Sequence, residues 1–464
     1  MRRTLAFRVA SFVFALYLSL GSVGCSRATA RSAAAGPSLS RGLDSALATA
    51  TFDSAWSRIH VAYYDSTFHG TDWAKLRAEL RPRAAAAREM SQVRATIEVM
   101  FERLGDSHFA LIPSEAVRRW ENGAAHDDAP GELGLEFRFA DGVALVSRIL
   151  PHSAAAAASI SMGWRIERLG GTDVDSLVRA RRAEATPSEQ KILPMDLPLS
   201  LMGRTLGPAG SSVRLVLRDA TGRRIERTLV RQPVTGFEVR MGHLPPQNAR
   251  VESERRLDAD GCVGVLRFNV WMLPVMPRID AAMDDLRRCR AIVIDLRGNP
   301  GGVAAMVMGV GGHFVDTAVS LGTMSSRGLT MRYLANPRRV GGHGESVQPF
   351  HGALAILVDG VTVSTSEIFA GGMQQIGRAR IFGETTPGEA LPSAVMKLPN
   401  GDVMQYVVGD FALADGRRLE RRGVIPDVVV PLRRADLLAG RDATLDAALR
   451  WIAGTATRTA LAPR

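Results

Sequence analysis

The chain has 464 residues, 46% hydrophobic and 23% charged, an ordinary globular composition with length for two or three domains. Its formal net charge is +11, yet lysine occurs only at Lys75, Lys191 and Lys397, so 58 − 3 = 55 of the basic residues are arginine. The arginines are scattered and often stand beside acids, as in Arg223-Arg224-Ile225-Glu226. With no basic block interleaved with aromatics, the composition argues against a nucleic-acid partner.

In chain order, a short basic start (Met1-Arg2-Arg3) precedes an apolar run over residues 9–24 that is too short for a convincing membrane span. It reads as a secretory signal, residues 1–25. Ser22-Val23-Gly24-Cys25 resembles a bacterial lipoprotein processing site with Cys25 as the lipidated residue, although Leu is usual where Ser22 stands. The rival cut follows Ala28-Thr29-Ala30. Residues 26–44 are small and polar, as a tether should be. The expectation is a protein exported to the bacterial cell envelope, lipid-anchored to a membrane and facing the periplasm.

Residues 45–125 read as a helical N-terminal domain, with helical spacing at 84–87 and 93–104, ending in Leu104-Gly105-Asp106-Ser107-His108-Phe109. A polar break covers 122–130. Over residues 131–235 strand-like runs (LGLEF, VALVSRIL, WRIERLGG, SVRLVLRD, ERTLV) alternate with turns around one small-residue helix at 154–160. This stretch resembles a PDZ domain. The resemblance implies that Gly134, Leu135, Glu136 and Phe137 form the loop receiving a peptide C-terminus through backbone N–H groups. Trp164 departs from the pattern, since an acid is more usual there.

From 236 to 435 the pattern becomes β-α-β, with GVLRFNVW, AIVIDLR and ALAILVDG as buried strands of an α/β core, and 436–464 form a terminal helix centred on 444–452. A helical stretch, 277–288, joins the first two strands. In a right-handed β-α-β unit both strands start at one sheet edge, which makes Cys262 and Cys289 neighbours and a disulfide candidate in an oxidising compartment. Asp295-Leu296-Arg297-Gly298-Asn299-Pro300-Gly301-Gly302 follows a strand, and its glycines let backbone N–H groups approach a ligand. The Lys-Ser/Thr ending of a phosphate loop is absent. Val363-Ser364-Thr365-Ser366-Glu367 sits at a strand-to-helix turn. Ser364-x-x-Glu367 fits a capping box, and a serine there also stands beside unpaired N–H groups that could hold an oxyanion.

The ordered motifs LRGNPGG, V-STSEI, GRARIFGETT, LPNGD and LERRGVIPDVVV resemble those of the C-terminal processing and tricorn-type serine peptidases, over roughly residues 90–435. The resemblance implies a multidomain α+β and α/β chain with a helical lead-in, a PDZ-like domain and a ClpP/crotonase-like peptidase core. It implies Ser364 as nucleophile, with the Thr365 amide and a glycine of the Gly301-Gly302 loop as oxyanion hole. The Ser–Lys branch carries its lysine after the G-E-T motif, but here Glu389 stands in that place. The tricorn-type branch pairs the serine with a Ser-His unit upstream and a glutamate before G-V-x-P-D, which implies Ser107, His108 and Glu420. The expected activity is hydrolysis of unfolded or tail-exposed polypeptides through an acyl-enzyme, with no metal or organic cofactor. Two alternatives stay open: a non-catalytic peptide-binding envelope protein on this scaffold, and an active Ser364 served by Lys397 or another base.

Overall fold

A computed structural model describes residues 43–461 apart from 124–128, 186, 241, 243–245 and 343. The signal segment, Cys25 and all of the tether up to residue 42 lie outside the described residues.

Helices α1 (Ser45–Ala62), α2 (Trp73–Ala85) and α3 (Met90–Leu104) pack around Phe52, Ile59, Leu80 and Ile97. Asp44 and Asp72 cap α1 and α2 by accepting the Ala46 and Lys75 amides. Of the stretch expected to be helical at 84–87, Ala86 and Ala87 fall beyond the end of α2. Helix α3 stops at Gly105, whose left-handed backbone (φ 68°) closes its last turn. The chain then bends through Asp106-Ser107-His108 into strand β1 (Ala110–Ile112) and helix α4 (Ser114–Gly123).

The next unit is an antiparallel sheet of β2 (Leu135–Ala140), β3 (Val143–Ile149), β4 (Arg165–Leu169), β5 (Ser212–Arg218) and β6 (Arg224–Val230), adjacent in that order. The expected strands are all present, but the expected single helix is not. The small-residue helix is only Ala154–Ala157, and two longer ones follow: α5 (Val174–Glu184) and α6 (Pro187–Thr205). Helix α6 contains Pro194 and Pro198, which locally argue against a helix. Packing overrides them. Leu197 and Leu201 share a core with Leu135 and Phe137 of β2, while Met195 and Leu199 pack on Val361 and Val363.

The core sheet is built from β7 (Val251–Asp258), β8 (Gly261–Phe268), β9 (Ala291–Asp295), β10 (Ala353–Val358), β11 (Arg380–Gly383) and, after strands β12 (Ser393–Lys397) and β13 (Val403–Val407), β14 (Val428–Val429). It is parallel except for β7. Every residue of β9 is buried, because both faces of the sheet are covered. Ile292 and Ile294 face the large core, and Ala291 and Val293 face the C-terminal helix. Each fully buried side chain of this kind contributes about 1.5–3 kcal/mol. Helix α7 (Met276–Leu286) makes the β8-to-β9 crossover, and a disulfide joins Cys262 to Cys289 with Cα atoms 4.8 Å apart. The terminal helix α9 runs Ala443–Leu461, longer than the expected centre, and a short helix (Arg434–Leu438) precedes it.

Two long-range ties set the site. Strand β1 pairs antiparallel with β13, Ala110 opposite Gln405, so a segment upstream of the second unit becomes part of a core-side sheet. Arg94 of α3 grips the fully buried Asp402 with both Nε and Nη2 at 2.8 Å, and Asp402 also accepts the Ser114 amide at 2.7 Å.

Candidate active site

Parallel strands β9 and β10 are neighbours, so the loops after them emerge side by side at the carboxyl edge of the sheet, where open α/β sheets hold ligands. The first loop carries Asn299 to Gly302. The second carries Ser364, which precedes helix α8 (Thr365–Gln375).

Ser364 has φ 58° and ψ −120°, a backbone state costly for a side-chain-bearing residue. Its amide is held at 3.0 Å by the Glu389 carbonyl and at 3.0 Å by Glu367 Oε2. Glu367 thus makes its half of the capping box, while Ser364 Oγ lies 3.1 Å from His108 Nε2. Glu367 is fully buried and also accepts from Thr386 Oγ1 and the Gly388 and Glu389 amides. Burial still pushes its carboxyl up to about 7, partly offset by these four donors. Ser366 is bound instead by the Trp271 indole N–H at 2.8 Å, which gives it a packing role.

His108 is buried and itself has φ 61°. Its Nδ1 is 2.8 Å from Ser107 Oγ, which donates to Glu420 Oε2 at 3.1 Å. Because the Ser107 hydroxyl proton goes to the carboxylate, Ser107 Oγ accepts from Nδ1–H. That fixes the tautomer and leaves Nε2 as acceptor toward Ser364. Glu420 is anchored further by the Ser107 amide (3.2 Å) and the Ala390 amide (3.0 Å). Burial pushes the imidazole down to about 3 and Glu420 up to about 7, the three donors opposing the latter. Both shifts favour the neutral forms, as desolvation does.

The glycine loop is built tightly. Gly301 (φ 97°) lies so close that a Cβ would meet Ser364 Cβ at 2.7 Å, and Gly302 (φ 141°) would strike the Trp271 carbonyl at 2.1 Å. The Gly301 amide is taken by Asn299 Oδ1 at 3.0 Å, while Thr365 Oγ1 donates to the Gly302 carbonyl at 2.9 Å. Thr365 N heads α8, where amides have no acceptor within the helix. Asn299 thus engages the Gly301 amide and not that of Gly302, in a loop that comes close enough to the head of α8 that a Cβ on Gly301 would lie 3.0 Å from Thr365 N.

The structure brings together Ser107, His108, Ser364, Glu420, Thr365 and the Gly301-Gly302 loop. Lys397 is exposed at the end of β12. The Gly134–Phe137 stretch is in β2 and the turn before it, and among the described residues no hydrogen bond joins it to Ser364, His108 or Glu420. Leu135 and Phe137 point into that unit's core, and Glu136 is bound by Arg148 and Arg267. Sequence reading gave no role to Asp106, which accepts from the Tyr63 and Tyr64 hydroxyls and lies 3.1 Å from His69 Nε2, pinning the segment that carries Ser107. It also overlooked Asn299, which braces the glycine loop from within the quoted LRGNPGG motif. Among the described residues, no group of three or more His, Cys, Asp or Glu side chains is arranged to hold a metal ion.

Residues 262–430 match the peptidase family S41 model, and residues 48–102, which span α1 to α3, match the tricorn protease C1 domain. A carboxyl-terminal-processing protease of Picosynechococcus sp. is 26% identical over 385 residues, covering 81% of this chain and 82% of that protein. The chloroplastic carboxyl-terminal-processing peptidase 2 of Arabidopsis thaliana is 25% identical, over 82% and 68% respectively. The solved photosystem II D1 C-terminal processing protease is alike in fold, with a TM-score of 0.56 at 22% identity, covering 86% of this chain and 98% of that one. Mature CPAF is alike in fold at 0.53 and 14% identity, covering 85% and 94%.

Proposed function

Since this chain is a serine-type peptidase with an S41 core of the carboxyl-terminal-processing kind, we propose that it is an endopeptidase with a histidine base, cutting unfolded or tail-exposed polypeptides through an acyl-enzyme. The 3.1 Å approach of His108 Nε2 to Ser364 Oγ carries this reading. Ser364 Oγ attacks the scissile carbonyl while Nε2 takes its proton. The amides of Thr365 and Gly302 receive the oxyanion, whose charge forms only on the way to the tetrahedral intermediate. The imidazolium returns the proton to the leaving amine, and water then repeats the sequence to release the acyl group. Ser107 and Glu420 hold the tautomer and stabilise the imidazolium.

The unit of β2 to β6 acts as a PDZ-like dock for substrate C-termini. Its support is that β2 stands at the end of the sheet order, as β-augmentation requires. Export with lipid attachment at Cys25 draws support from the leader-like residues 9–24 and from a disulfide suited to an oxidising compartment. Fatty-acid labelling of the wild type that persists in Cys25→Ala would rule out the anchor.

The test of the peptidase reading is Ser364→Ala against wild type on an unstructured protein. The wild type should cleave it and take up a fluorophosphonate probe at Ser364, and the variant should do neither. Equal cleavage by both rejects the assignment.

A further inference from the structure

Three carboxyl groups crowd the region of Ser364, and two of them are fully employed. Glu367 accepts from four donors and Glu420 from three. Glu389 differs. Its main chain is fixed to the nucleophile segment, the carbonyl accepting from Ser364 N and the amide donating to Glu367 Oε2, both at 3.0 Å. Its side chain is less well matched. The residue is 6% exposed, and Oε2 is buried with no hydrogen-bond partner. A buried acceptor left unmatched is costly, and native proteins keep few of them.

The charges around it make the mismatch worse. Burial first, and then the like charges of Glu420 on the loop beyond β13, Glu367 on α8 and Asp196 on α6, hold the Glu389 carboxyl well above the usual range. Asp196 is bound by Arg181 of α5 at 2.8 Å. Helix α6 carries Asp196 over the site through Met195 and Leu199, which pack on Val361 and Val363 just before Ser364. A substrate group that reaches Glu389 beside Ser364 therefore meets an acidic surrounding in which Glu389 Oε2 has an acceptor site unmatched.

We propose that Glu389, with Asp196 behind it, is a specificity-determining residue that receives a cationic side chain, lysine or arginine, next to the scissile bond. The cation supplies the missing donor and offsets the like charges, so Glu389 gives up its proton as the cation docks. Binding of the basic substrate then strengthens as pH rises. This inference rests on the peptidase reading for where substrate lies, so its test is made on binding rather than on turnover.

The experiment uses the full chain with Ser364→Ala and two peptides that differ only in lysine against norleucine beside the bond, titrated by calorimetry at several pH values. The lysine peptide should bind about tenfold tighter or more, the scale of a close buried charge pair. Adding Glu389→Gln should bring the two peptides within about twofold, while Glu389→Asp, keeping the charge, should retain the preference. Circular dichroism melting identifies a Gln variant that has lost its fold, and the Ser364→Ala comparison of the two peptides then decides by itself. Equal binding of both peptides to Ser364→Ala overturns the proposal, as does a preference unchanged by Glu389→Gln. Selective binding together with an inactive wild type would reject the peptidase reading and leave this one standing.

Discussion

Ser107→Ala separates a histidine base from every rival. The hydroxyl makes two bonds, receiving Nδ1–H of His108 at 2.8 Å and donating to Glu420 at 3.1 Å. In the resting enzyme one joins neutral partners and the other goes to a carboxyl, and losing both leaves a buried Nδ1–H unmatched, which costs the fold about 1–3 kcal/mol. In the transition state the same Nδ1–H belongs to an imidazolium, and a hydrogen bond to a charged group is worth about 1.5–3 kcal/mol. At 1.36 kcal/mol per decade that is roughly 10- to 150-fold in kcat/KM. Glu420 keeps the Ser107 and Ala390 amides, so its position survives. The assay is steady-state hydrolysis of an unstructured substrate, with the thermal midpoint measured alongside. A variant within twofold of wild type, with its midpoint intact, would refute the relay. Lys397→Ala supplies the contrast. It removes an exposed side chain at the end of β12 and should change kcat/KM by less than about twofold, as surface substitutions do. A collapse there instead would transfer the base role away from His108.

Four further outcomes follow from the same structure. Glu420 is raised to about 7, so its charge appears only as pH rises through that value, and kcat/KM should climb across roughly pH 6 to 8. Glu420→Gln should flatten that limb at a lower plateau, and an unchanged limb in its pH profile would exclude Glu420 as the titrating group. For stability the sign is opposite for the two groups. Glu420 stabilises fully below its unfolded value near 4.5 and loses that contribution as pH rises toward 7, whereas His108, lowered from 6.5 to about 3, costs stability as pH falls through that window. Urea midpoints of His108→Phe should therefore fall less than wild type between pH 6.5 and 4, and parallel curves would contradict it. Arg94→Leu strands the buried Asp402 and should cost about 3–5 kcal/mol in denaturant unfolding, loosening the β1–β13 pairing that carries His108. Reduction of Cys262–Cys289, separated by 27 residues, should cost about 3–4 kcal/mol by chain entropy, and an unshifted melting midpoint in reductant would argue against it.

Local sequence determined much of this protein. The unbroken apolar runs of β9 and β10 announce a sheet buried on both faces, since strands with one wet face would alternate. The Ser364 turn, the glycine loop and the cysteine pair follow from strand–helix order, because parallel crossovers return neighbouring strands to one edge. The helices α5 and α6 did not follow, since Pro194 and Pro198 argue locally for a break and only packing on β2 and on Val361 and Val363 reverses that. The partner of the serine was named from motif order, but its reach was a tertiary matter. His108 and Ser364 are 256 positions apart, and the Gly105 turn, the β1–β13 ladder and the Arg94–Asp402 pair close that distance to 3.1 Å. The direction of the Ser107 proton, the engagement of the Gly301 amide by Asn299 and the unmatched Glu389 oxygen were likewise decided there. Propensity and periodicity act over a few residues, whereas hydrogen-bond partners and burial depend on which distant segments the core brings into contact.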